Sequence, residues 1–444
     1  MTRRHGYALL SAIVALIVAL SAAIYVGVAA DDGGGHDTTL ASGNTPRNPA
    51  APVSTGTWVG SWSTSPAAAE PGTETEGLAG RSVRNVVHTS VSGTSARITL
   101  SNLYGQSPLT ITHASLAVAA GSDTAAAVTR TMRRLTFGGD TTVVIPPGGQ
   151  VMSDAVRVTV PADADVLVTT YSPTRSGPVT YHPHARQASY VAQGDRTEDV
   201  TGAAFTEDVG YWRYLTALDV LSKDSDGTVV VLGDSLTDGI TSTSGANRRW
   251  TDVLSQRLRG AVEAGEKLPR YSVVNQGISG NQILVGGLGR PADNPSGLDR
   301  FGRDVLNRTN VKVVVIDLGV NDILRNPGVA DPERILEGLR AMVRQAHARG
   351  VRVIGATLMP FQGHRGYTAE REEVRRQINA EIRSGRLFDG VADFDEALRD
   401  PYNPRRLRGD YDSGDHLHPS DRGYERMAQS FDLTTLKGSV PAEL

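Results

Sequence analysis

At Thr228 the hydrophobic pattern of this 444-residue chain changes period. Before it, from Trp58 to about Lys223, short runs such as Ser95-Ala96-Arg97-Ile98-Thr99-Leu100 alternate polar and apolar residues, broken by turns such as Pro146-Pro147-Gly148-Gly149. A period of two points successive side chains to opposite faces of a strand, so each run buries one face and wets the other. Further runs at residues 141–145, 155–160, 166–171 and 179–181 predict an all-β sandwich over residues 56–225. After the change, residues 228–232 form a continuous β-branched run of the kind found in a strand covered on both faces. Similar strands are expected at 271–275, 311–318, 351–357 and 390–394. Helices are expected at 248–259, 332–349 and 370–383. The second of these carries Ile335, Leu339, Met342, Val343 and Ala346 at helical spacing and is stopped by Gly350. Alternating buried strands and helices predict a parallel sheet wrapped on both faces, a three-layer α/β/α sandwich, over residues 226–444.

Composition narrows the partners. Hydrophobic residues make up 39% of the chain, enough for two cores. There are no cysteines, so disulfides and thiolate metal sites are excluded. A formal net charge of −3 offers no basic excess for a nucleic-acid backbone. At the N-terminus, Arg3, Arg4 and His5 precede an uncharged apolar run of 23 residues, 8–30. That is longer than the ~7–15 residues of a signal h-region and near the ~20 of a spanning helix. Residues 1–30 therefore read either as a cleaved signal peptide or as a membrane tether through 8–30. Both place the remainder outside the cytoplasm. Residues 31–55, rich in Gly, Asp, Thr, Asn and Pro, read as a flexible linker. Nothing in the sequence states the oligomeric state.

In parallel α/β sheets, working residues collect at the C-terminal ends of the strands. After the first strand comes Gly233-Asp234-Ser235-Leu236-Thr237-Asp238-Gly239. Ser235 there is either a nucleophile on a tight strand-to-helix turn or a helix N-cap. After the second comes Asn275-Gln276-Gly277-Ile278-Ser279-Gly280-Asn281, either a source of anion-facing N–H groups or an ordinary glycine turn. After the third comes Gly319-Val320-Asn321-Asp322, where Asn321 offers an amide to a developing oxyanion or forms an Asx-turn. Near the C-terminus stands Asp415-His416-Leu417-His418-Pro419. An Asp three residues before a His can accept from its Nδ1–H and orient it as a general base, whereas Asp415, His416 and His418 as metal ligands lack further partners to complete a set. A serine alcohol is nearly inert until a base takes its proton, and these segments together supply nucleophile, base, orienter and oxyanion donors.

Other features are weaker. His182-Pro183-His184 reads as part of a strand or turn rather than a metal site, and Arg248, Arg249 and Trp250 read as a solvated helix start or a pocket lining. Residues 285–297 read as a rim loop or a connector. Gly-x-Ser-x-Gly, a phosphate-binding Gly-x4-Gly-Lys-Ser/Thr and His-Glu-x-x-His are all missing from the sequence.

The Gly-Asp-Ser-Leu at 233–236, the Gly in Ile278-Ser279-Gly280-Asn281, the Gly319-Val320-Asn321-Asp322 and the Asp415-x-x-His418 resemble the four blocks of the SGNH hydrolase superfamily, also called GDSL esterases and lipases. The resemblance covers residues 228–430. It implies a flavodoxin-like α/β/α fold in which Ser235 is nucleophile and donates its own N–H. Gly280 N–H and the Asn321 amide complete the oxyanion hole, His418 is the base and Asp415 its partner. Gly277 competes with Gly280 for that role, but the Ser-Gly match favours Gly280. The opening Trp58-Val59-Gly60-Ser61-Trp62 is similar to the front part of some secreted actinobacterial members. The implied activity is ester hydrolysis through an acyl-Ser235 intermediate, without cofactor or metal. The implied substrate is a small-molecule or O-acylated glycan ester, or a short-chain acyl ester. A lipase or lysophospholipase of the same class, and a non-enzymatic extracellular glycan-binding protein with a degenerate hydrolase domain, are the alternatives.

Overall fold

The computed structural model describes residues 56–287 and 294–438. The described residues form one compact unit. The signal or tether and the linker expected over residues 1–55 lie outside the described residues, as does the centre of the 285–297 segment.

The first part is a sandwich of two antiparallel sheets. Its main strands are β1 (Thr57–Ser63), β2 (Arg81–His88), β3 (Gly93–Ser101), β4 (His113–Val118), β5 (Val156–Val160), β6 (Asp165–Ser172), β7 (Thr180–His182), β8 (Ser189–Gln193), β9 (Glu207–Val209), β10 (Trp212–Arg213) and β11 (Leu215–Ser222). One sheet runs β1–β11–β3–β5 and the other β9–β8–β2–β6–β4. Val59, Ile98, Leu218 and Val220 from the first sheet share one buried cluster with Val83, Val87, Leu116, Val166 and Val168 from the second. That shared core is what makes the two sheets a sandwich. A small third sheet joins β10, β7 and Ala68–Ala69.

After a turn following Ser222, the parallel sheet begins. Its strands are β12 (Gly227–Gly233), β13 (Tyr271–Gly277), β14 (Val311–Asp317), β15 (Arg352–Ala356) and β16 (Gly390–Ala392), and all neighbouring pairs are parallel. The spatial order is β13–β12–β14–β15–β16. This is the flavodoxin-like order 2-1-3-4-5, in which the first strand lies between the second and third. Val229, Val230, Val231 and Leu232 are fully buried, as their unbroken apolar run requires.

The helices are α1 (Ser235–Asp238), α2 (Trp250–Glu263), α3 (Gly297–Phe301), α4 (Val320–Leu324), α5 (Pro332–His347), α6 (Ala369–Arg383), α7 (Phe394–Leu398) and α8 (Asp421–Ser430). They fall into two packed groups, α2 with α8 and α7, and α5 with α6 and α3. Asp331 caps α5 with Pro332 in its first turn. The helix α8 was not foreseen. Its buried residues are Gly423, Tyr424, Met427 and Ala428, a short apolar stripe among charged neighbours.

One sequence reading is corrected here. Arg249 and Trp250 are buried, and only Arg248 faces solvent. The Trp250 ring packs edge-on against Phe394 at 5.1 Å, while the Arg249 guanidinium donates to Ala185 O and lies 5.6 Å from the Trp212 ring. Arg249 is thus wedged against the sandwich while Trp250 packs within the parallel-sheet part, so the start of α2 is buried rather than solvated, because an indole and a guanidinium beside an aromatic ring gain more from those contacts than from water. The sandwich and the parallel sheet also meet where Gly60 N–H donates to Thr228 Oγ1 at 3.1 Å, and a Cβ at Gly60 would lie only 3.2 Å from a Val274 methyl.

Candidate active site

The turn after β12 explains why a serine there remains available. A Cβ at Gly233 would lie 2.2 Å from Thr237 Oγ1, so the turn closes only over glycine. Asp234 is the N-cap of α1 and its carboxylate accepts the Leu236 N–H at 3.0 Å. The capping role considered for Ser235 is therefore taken by its neighbour. Ser235 opens the helix with its hydroxyl free for another partner and its N–H among the orphan amides of a helix start. Gly239, at φ +89°, ends the helix after one turn.

The partner is His418. Its Nε2 lies 2.8 Å from Ser235 Oγ, and its Nδ1 lies 2.6 Å from Asp415 Oδ2. Asp415 Oδ1 accepts the N–H groups of Leu417 (2.9 Å) and His418 (2.8 Å), so the carboxylate is anchored to the loop it orients. Burial pushes the Asp415 pKa up, but the hydrogen bonds from His418 and Leu417 outweigh it and hold the group below its ordinary value. Asp415 is thus a carboxylate facing an imidazole N–H. His416 is engaged separately, by Asp412 at 2.6 Å. Among the described residues no group of three or more His, Asp or Glu is arranged to hold a metal.

The strand order places the residues expected to donate to an oxyanion. Because β12 lies between β13 and β14, the loops that follow all three strands meet around Ser235. Gly280 sits in the left-handed region at φ +75°, borders the same cleft as Ser235, and its N–H has no acceptor among the described residues. Gly277 does not compete. Its N–H donates to Asn275 Oδ1 at 2.8 Å, and it is a glycine because a Cβ there would lie 2.4 Å from Asp238 N. The Asn321 amide is held at both ends. Its Nδ2 donates to Asp234 Oδ2 at 3.1 Å and its Oδ1 accepts from Arg325 Nε at 3.2 Å, which leaves the second N–H of the NH₂ group for the cleft. Beneath these groups lie buried acids. Desolvation raises Asp317 to about 6, with Thr237 Oγ1 donating to it at 2.8 Å. Desolvation also raises Asp322 to about 6, opposed by the Ile283 and Leu284 N–H groups that it accepts. Asp234 is pushed up by burial and by the Asp317 charge.

Three further groups build the site and were not picked out from sequence. His182, at the end of β7 in the sandwich, points Nε2 at Asp238 Oδ1 (3.0 Å) and Nδ1 at Ser65 O (2.7 Å), fully buried. Asp238 Oδ2 in turn accepts from Ser279 N (3.1 Å) and Ser279 Oγ (2.5 Å), one residue before Gly280. Arg300 on α3 is a buried guanidinium that donates to Gly233 O (2.9 Å), Gln276 O (2.7 Å), Asn281 Oδ1 (2.9 Å) and Asp304 (3.2 Å), tying the ends of β12 and β13 together. Burial pulls its pKa down to about 10, still charged at neutral pH. Arg325 orients Asn321. No periodicity marks these residues. The His182-Pro183-His184 pair was the one visible hint, and its use is second-hand support of a loop.

Ser235, His418, Gly280 and Asn321 open into a cleft of about 830 Å³. One wall is the sandwich, through Ala67, Ala68, Tyr181, Pro183, His184 and Tyr211. The opposite wall carries Leu324, Arg325, His364, Arg365 and Gly366. Residues 231–426 match the family described as GDSL-like Lipase/Acylhydrolase. No curated protein matches the chain. Among solved structures, the chain is similar to a G-D-S-L-family protein from Desulfitobacterium hafniense, with 23% identity, covering 46% of this chain and 97% of that one, at a TM-score of 0.35. It is also similar to a carbohydrate acetylesterase from Sinorhizobium meliloti (16% identity, 46% and 95% covered, TM-score 0.35). An aryl esterase from M. smegmatis shares 17% identity, with 46% and 95% covered and a TM-score of 0.36. Likenesses of this size say nothing about substrate.

Proposed function

Since residues 231–426 of this chain belong to the GDSL-like lipase/acylhydrolase family, we propose that it hydrolyses carboxylic esters through an acyl-Ser235 intermediate. The observation that carries the reading is the unbroken relay from Ser235 Oγ to His418 Nε2 at 2.8 Å and from His418 Nδ1 to Asp415 at 2.6 Å. His418 takes the Ser235 proton as Oγ bonds to the ester carbonyl carbon. The oxyanion that forms is met by the N–H groups of Ser235 and Gly280 and by the Asn321 amide, each such donor being worth about 3 kcal/mol. His418 then gives the proton to the departing alcohol as the C–O bond breaks. Water, deprotonated by the same imidazole, attacks the acyl-enzyme and releases the acid. Asp415 keeps the imidazole in the required tautomer and stabilises its cation.

The substrate we favour is an O-acylated glycan with a short acyl group. The cleft lies in the ~300–1,000 Å³ range of small-molecule sites, and His184, Arg325, His364 and Arg365 line it together with the Tyr181 and Tyr211 rings and small apolar groups. Those polar and aromatic groups suit the hydrated alcohol moiety of a glycan ester, which is the ground for preferring it to the lipase reading. The basic and apolar segment at residues 3–30 supports a site of action outside the cytoplasm. The test is labelling by a fluorophosphonate probe together with turnover of a panel running from 4-nitrophenyl acetate to long-chain esters and acetylated oligosaccharides. Labelling of the parent but not of S235A, with activity concentrated on short acyl groups, is the expected result. An unlabelled, inactive protein that still binds glycans would establish the non-enzymatic reading instead.

A further inference from the structure

Two guanidinium groups, Arg325 and Arg365, border the cleft beside His364. Arg365 is exposed, and no hydrogen bond or ion pair joins it to any described residue. Arg325 spends its Nε on Asn321, and no carboxylate pairs with it among the described residues. Burial and the neighbouring Arg365 charge both press Arg325 below its ordinary pKa, against the pull of Asp234. His364, beside them, is lowered by burial and by the charges of Arg365, His418 and His416, against the pull of Asp415. The one acid among the described residues bordering the cleft is Asp238, which is 4% exposed and already engaged by His182 and Ser279. Arg325 and Arg365 thus place two cations on the cleft next to Ser235, with no carboxylate in ion-pair contact with either among the described residues. Clustered like charges cost free energy unless something of opposite charge joins them, and guanidinium forks match planar or tetrahedral oxyanions.

The other wall offers the complement to a sugar ring. Tyr211 is 38% exposed and packs edge-on against Tyr181 at 5.5 Å, so it is a rigid aromatic surface at the cleft rim.

Building on the esterase reading above, we propose that the glycan ester bears an anionic group, a carboxylate or a sulfate, which Arg365 and Arg325 bind while the sugar packs against Tyr211. The anion fixes which acyl ester reaches Ser235.

The experiment compares kcat/KM on three O-acetylated sugars of the same ring type: a uronide, a sulfated hexoside and the neutral hexoside. One or both anionic esters should be preferred by at least about tenfold, and the larger preference identifies the anion. Added salt should shrink the ratio. R365Q should reduce the anionic-to-neutral ratio several-fold, and R365E should reduce it further. Arg365 is exposed, so a thermal melt verifies that both variants fold. Equal rates on all three sugars, or a ratio unmoved by R365Q and R365E, would overturn the proposal while leaving the esterase reading intact. Absence of turnover on every ester, including 4-nitrophenyl acetate, would instead bring down the reading on which it rests.

Discussion

The parallel-sheet part and the sandwich part reach the same cleft by different routes. In the parallel sheet, each group stands at the end of a strand or in a loop of a few residues: Ser235 after β12, Gly280 after β13, Asn321 after β14, and Asp415 with His418 in one loop. In the sandwich, the contributions cross long stretches of chain. His182 bonds Asp238, Ser65 accepts from Arg300 across 235 positions, and Ala67, Tyr181 and Tyr211 come from separate segments to form one wall. The parallel sheet concentrates chemistry because its strands all end on the same side. An antiparallel sandwich has no such side, so it serves the site by supporting and walling it. The comparison implies that changes in the first part remove the reaction, whereas changes in the second weaken and redirect it.

The largest expected effect tests the first half of that statement. S235A should lower kcat by roughly 10³–10⁶-fold without loss of thermal stability. Near-parental turnover by S235A would break the comparison at its root. Next comes Arg300, which joins the two parts. Removing a buried guanidinium leaves Asp304 and two strand-end carbonyls short of partners, and R300M should destabilise the fold by about 3–5 kcal/mol. A denaturant midpoint reads this directly, and an unchanged midpoint would show that α3 does not clamp the strand ends.

Two buried acids give the parallel-sheet part a pH signature, and burial pushes Asp219 of the sandwich up in the same sense. Asp317 and Asp322 sit at about 6 in the folded chain, above the ordinary 3.8 of a free carboxyl. The folded state therefore holds protons that the unfolded state has released between those two values. Stability contributed by these groups is intact below about pH 4, falls as pH rises toward 6, and is flat above it, a loss of up to about 3 kcal/mol for a fully shifted group. Asp304, at about 2 beside Arg303 and Arg300 despite its burial, acts in the opposite sense and only under strongly acid conditions. Melting curves of D322N should fall less steeply than those of the parent between pH 4 and 6. A parallel fall in both would remove Asp322 from the account.

The smallest effect addresses the sandwich. H182A should reduce kcat by about 10- to 100-fold with little change in KM, because it loosens Asp238 and the Ser279-Gly280 turn rather than a substrate contact. H182N, which keeps a donor toward Asp238, should recover part of the loss. If H182A changed only the melting temperature, the sandwich would be a scaffold and nothing more.

Much of this was legible in the residues. The β-branched run at 228–232 marks a strand buried on both faces, the switch of period marks where antiparallel gives way to parallel, and Asp415 and His418 meet because three residues of loop allow little else. These are consequences of short-range physics, since periodicity, turn chemistry and local hydrogen bonding act within a few residues. What only the tertiary structure decided is adjacency. The order β13–β12–β14 puts Gly280 and Asn321 on either side of Ser235, Asp234 rather than Ser235 takes the cap, Arg249 and Trp250 go inward, and His182 and Arg300 become parts of the site. Such contacts form between surfaces that exist only after both sheets have closed on their cores. No local pattern encodes them, because a buried guanidinium or imidazole is stable only where distant carbonyls and carboxylates have already been brought to receive it.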